Sequence, residues 1–65
     1  MSNELIRHLI SKIDADCATI ERQLALGHAK DIGDYKFACG RYRGLLNAKD
    51  ILIITAESME NDDDF

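Results

Sequence analysis

Apolar residues recur at alternating intervals of four and three along two long stretches of this chain, and no proline interrupts either. The first ladder is Ile6, Ile10, Ile13, Cys17, Ile20 and Leu24. The second is Ala38, Tyr42, Leu45, Lys49, Leu52, Ala56 and Met59, with Lys49 its one charged member. A four-three alternation keeps side chains on one stripe of an α-helix that packs against another helix. The chain is therefore constrained to two helices, each carrying a seam for a partner. Leu5, Leu9 and Leu26 lie beside the first seam and widen its apolar stripe, while Arg7, Lys12, Asp14, Glu21 and Arg22 form the opposite, solvated face.

The ends of these helices are marked by local chemistry. Ser2 and Asn3 can accept hydrogen bonds from the first free N–H groups of a helix, and Glu4 favours the positive end of its dipole. Gly27 marks the stop, because glycine enters the left-handed conformation that closes a helix. Residues 28–33 form a connection short enough to make the helices antiparallel neighbours. Either Asp31 or Asp34 can cap the second helix. The expected fold is all-α: a two-helix antiparallel hairpin, about 3–27 and 34–59, with a short acidic C-terminal tail. This makes one helical domain over residues 1–59, followed by the tail at 60–65.

A chain of 65 residues buries only about 60% of the surface it exposes when unfolded. Yet 46% of its residues are hydrophobic. A second stripe, Tyr35, Cys39, Leu46 and Ile53, lies beside the second seam, while Phe37, Ile51 and Ile54 fall elsewhere on the helix. A helix apolar almost all round is normally surrounded by protein, and one partner helix cannot surround it. Homo-oligomerisation, or docking on a larger assembly, is expected to complete the core. The longest strictly apolar run, residues 51–54, is far short of the ~20 residues that span a bilayer, so no membrane role is expected.

Four groups of residues are candidates for a site. Gly40, Gly44 and Ala48 lie four apart, a spacing that permits another backbone to approach closely; with Ile51, Leu52, Ile53 and Ile54 they form the expected self-association or partner interface. Tyr35, Lys36, Arg41, Tyr42 and Arg43 interleave cations with aromatics, a composition that suits nucleic acid. The near-neutral body argues against that partner: residues 1–56 hold eight bases and seven acids, the other five acids being Glu57, Glu60, Asp62, Asp63 and Asp64. The third group, Asp62, Asp63, Asp64 and Phe65, is either a solvated acidic end or a hook whose aromatic and carboxylate enter a pocket. Cys17 and Cys39 lie ten and five residues from the turn, too far offset along the helices for an easy disulfide, and are expected as buried thiols. With His8 and His28 they match no zinc spacing, so no metal is expected. Cys39 and His28 could be named as nucleophile and base, but so small a hairpin lacks the water-excluding pocket such chemistry needs, so no catalytic residue and no cofactor are expected.

Over Gly27 to Ala48 the chain resembles small proteins of tailed, particularly short-tailed, bacteriophages. The matching elements are Ala29, Asp31, Tyr35, Lys36, Gly40, Gly44 and Leu45, in a stretch that covers about a third of the chain. The resemblance implies a small component encoded among virion-assembly genes, located in the virion or the host cytoplasm. The expected function is thus a non-enzymatic structural or adaptor protein that self-associates or docks on a capsid, portal or tail protein. The alternative is an accessory factor that binds a nucleic-acid enzyme through the acidic tail.

Overall fold

The computed structural model describes residues 2–61, which form two α-helices joined by a six-residue turn: α1, Ser2–Ala25, and α2, Ile32–Asn61. They pack antiparallel into a rod with principal extents of 50 × 16 × 11 Å. Neither helix is long and apolar enough to cross a membrane. The fold is the expected two-helix hairpin, and both helices end differently from expectation for reasons visible in the turn.

Gly27, at φ 79°, is the residue beyond the helix rather than its last member. Its N–H donates to the Leu24 carbonyl (3.1 Å) and that of His28 to the Gln23 carbonyl (2.9 Å), the paired bonds of a Schellman closure. The last helical residue is consequently Ala25, two before the glycine. Gly27→Ala should destabilise the hairpin by about 1 kcal/mol, since a Cβ disfavours the left-handed region. Chemical denaturation followed by circular dichroism measures it.

On the other side of the turn, the Asp31 carboxylate accepts the Asp34 N–H at 2.8 Å, and the Asp31 carbonyl accepts the Tyr35 N–H at 3.1 Å. Asp31 is therefore the N-cap. Asp34 has a different role, accepting the Lys30 N–H at 3.1 Å. Because the cap is Asp31, α2 begins at Ile32 and takes in Gly33, a residue expected in the connection. Nothing after Met59 breaks the helix, and it continues to Asn61.

Both ladders face each other. Ile6, Cys17 and Ile20 are buried, with Ile20 only 2% exposed, and Ile10, Ile13 and Leu24 are half-buried. All seven members of the second ladder are half-buried. The flanking residues of α1 are left uncovered: Leu5 and Leu26 are exposed, as is Leu9. One partner helix covers the seam and little else.

Two polar pairs lie across the seam, one heptad apart. Lys49 Nζ reaches Asp14 Oδ1 at 2.8 Å, and the Tyr42 hydroxyl donates to the Glu21 carboxylate. The charge at Lys49, a misfit in an apolar ladder, is thus answered from the other helix while its stem lies along the seam. Asp14 and Glu21, expected on the solvated face of α1, instead border the interface, still exposed but engaged. Residues one position past a seam residue flank the contact rather than oppose it.

These pairs give stability a pH dependence. Lys49 is held above its ordinary value of 10.5, chiefly by the hydrogen bond to Asp14, and Tyr42 above 10.0, chiefly by the hydrogen bond to Glu21. In both, the folded state favours the protonated form. The contribution is therefore complete below the unfolded values near 10 and is lost as pH rises through the higher folded ones. Unfolding midpoints should fall above about pH 10, and the double variant Tyr42→Phe, Lys49→Met should lose this component of the alkaline dependence.

Candidate functional site

The outer face of α2, away from the inner seam, holds three of the helix's exposed large apolar side chains, while Ile32, 68% exposed, stands off this face at the start of the helix. Phe37 is 71% exposed, and Ile51 and Ile54 are each 64% exposed. Between them on the same face lie Gly40, Gly44 and Asn47, also exposed. In order, Phe37, Gly40, Gly44, Asn47, Ile51 and Ile54 stand at intervals of three, four, three, four and three. This is a second heptad seam on the back of the first. A Cβ built on Gly40 or Gly44 would meet nothing within 4 Å, so neither glycine serves contact with α1.

This arrangement corrects the grouping expected from sequence. Ala48 does not share the open face of the two glycines; it is half-buried, because a row of residues four apart winds by about 40° per step around an α-helix and returns toward the seam. The apolar block also divides. Leu52 enters the intramolecular seam, half-buried Ile53 flanks it, and only Ile51 and Ile54 point outward. Phe37 and Asn47 were missed as members of the face because the glycines between them carry no hydrophobic signal. Continuing the four-three count through Gly40 and Gly44 would have found both.

The basic and aromatic residues do not form one patch. Tyr42 is committed to Glu21 and Lys49 to Asp14. The Tyr35 hydroxyl is held above its ordinary value of 10.0 chiefly by a hydrogen bond with the Cys39 side chain, one helical turn on. Lys36 and Arg43 are exposed on one flank of the outer seam, and Arg41 is exposed on the other. The tail residues Asp62, Asp63, Asp64 and Phe65 lie outside the described residues.

Two shallow clefts border the inner seam. One, of about 180 Å³, lies at the turn against Ile20, Leu24, His28, Phe37 and Arg41. The other, of about 300 Å³, lies between Leu24, Cys39, Tyr42 and Leu46. Both are open to solvent, and the second also has Glu21 and Arg43 on its rim, with the Glu21 carboxylate already engaged by the Tyr42 hydroxyl. Cys17 is buried and Cys39 half-buried, both as free thiols, the latter less enclosed than expected. Among the described residues no group of three or more His, Cys, Asp or Glu converges on a position for a metal ion.

The geometry therefore defines an all-α hairpin with an unpartnered seam. No protein-family model, curated protein or solved structure matches the chain.

Proposed function

We propose that this chain is a non-enzymatic structural or adaptor protein that acts by self-association, by docking its apolar helix faces on a larger protein, or by both. The observation that carries this reading is the imbalance of its core. Among the described residues only Ile6, Cys17 and Ile20 are buried, while nine large hydrophobic side chains are exposed. Single exposed apolar residues are ordinary on protein surfaces, but a periodic row along one helix face is not. The likeness of residues 27–48 to small phage proteins supports a virion protein, whether capsid, portal or tail, as the larger partner, and the virion or host cytoplasm as the location.

Light scattering coupled to size exclusion tests the first half of this reading. At micromolar concentration the mass should be a multiple of the 7.3 kDa chain and should fall on dilution. A mass of one chain at all concentrations, with no retention by virion proteins, overturns it.

A further inference from the structure

We infer that the outer seam of α2 pairs with the same seam of a second copy, antiparallel, about a two-fold axis crossing the helix between Gly44 and Asn47. This deepens the reading above and rests on it. The argument comes from the order of sizes and charges along the face, which are complementary to themselves when reversed.

The sizes come first. Reversing one copy about that axis sets Ile51 against Gly40 of the other, Asn47 against Gly44, and Ile54 against Phe37. Each large residue of one half then meets a small one of the other, and the two remaining large apolar groups meet at the ends of the contact. Gly40 and Gly44 have open space where a Cβ would stand, so the second backbone can approach closely there. The contact spans residues 37–54, about 25 Å of helix at 1.5 Å per residue. A single polar side chain within an apolar seam, here Asn47, fixes register and orientation.

The charges give the same answer independently. One flank of the seam carries, at seven-residue intervals, Lys36, Arg43, Asp50 and Glu57, all exposed. Two cations precede two anions. In an antiparallel pair like flanks meet, so this register places Lys36 beside Glu57 of the second copy and Arg43 beside its Asp50, and the symmetry repeats both pairs. Among the described residues the ion pair between the helices is Lys49 with Asp14, which leaves these four charges out of it. A parallel pair would instead stack glycine on glycine and bring Lys36 toward Arg41 of the other chain. Because α1 covers the opposite face of α2 and nears this one only at Phe37, which borders the cleft at the turn, the pairing requires no rearrangement of the hairpin.

Charge reversal tests the register in the full-length chain. Sedimentation equilibrium should show that Lys36→Glu with Arg43→Glu weakens the dimer about tenfold or more, since four attractive pairs become repulsive. Adding Asp50→Lys and Glu57→Lys to the same chain should restore the affinity to within about threefold, with helix content by circular dichroism unchanged throughout. A parent chain that is monomeric overturns this inference together with the self-association on which it rests, and leaves only docking on a larger protein. A parent that associates, but is indifferent to the first two substitutions or not rescued by the second two, overturns the antiparallel seam alone and leaves self-association through another face.

Discussion

Replacing Ile20 by alanine should unfold a large share of the chain, lowering stability by about 2–5 kcal/mol. Ile20 is the most deeply buried side chain, 2% exposed, and is flanked along the seam by Cys17 and Leu24. The loss combines the transfer of its methyl and methylene groups with the cavity left behind, and a single layer of side chains between two helices offers few neighbours able to close it. A domain of this size has only some 3–10 kcal/mol to lose. Leu5→Ala supplies the comparison: the residue is of similar size but 62% exposed, and the change should stay within about 0.5 kcal/mol. Urea titrations followed by ellipticity would give both values, and equal midpoints for the two variants would mean that the seam is not the core.

Lysine at both Ile51 and Ile54 should abolish self-association, a loss of more than about a thousandfold in affinity, without the loss of helix expected on cutting into the inner seam. Each isoleucine would contribute about 1.5–3 kcal/mol when fully covered, and a pair of chains carries four of them. The substitution also leaves four ammonium groups to be desolvated if the same face is to close. Both residues are 64% exposed in the single hairpin, so their removal uncovers little within it. Dilution series by light scattering, with circular dichroism at the same concentrations, separate the two consequences. If the double variant remains associated as tightly as the parent, the outer face of α2 is not the contact.

The contrast between Ile20 and Ile51 shows how much of the molecule was legible in the sequence. The inner seam could be read because its spacing is a direct image of helix geometry, and even Lys49 fell at its proper place in the count. Its partner Asp14 could not be assigned, since the side on which α1 flanks α2 depends on how the two helices cross. The cap was undecided between Asp31 and Asp34 for a similar reason: both are good acceptors, and only the path of the turn selects which carboxylate meets the first N–H groups. The outer seam was hidden in another way. Hydrophobicity marks Phe37, Ile51 and Ile54 as isolated residues, and the row becomes continuous only when two glycines and an asparagine count as members. Glycine inside a helix costs about 1 kcal/mol relative to alanine. Gly40 and Gly44, unopposed by α1, are therefore a disadvantage that the hairpin alone does not offset.

The turn closed by Gly27 also determines how the molecule responds to load. Because the helices run antiparallel, Ser2 and Asn61 lie at the same end of a 50 Å rod, with the turn at the other. Tension applied between those two residues acts across the seam rather than along it. The helices would then separate layer by layer, starting near Ile6 and Ala56 and reaching the Lys49–Asp14 pair before the Tyr42–Glu21 pair. Tension between the turn and either end runs along the backbone of one helix and is borne by that helix's own hydrogen bonds rather than by the seam. The same fold is a zipper in one direction and a strut in the other.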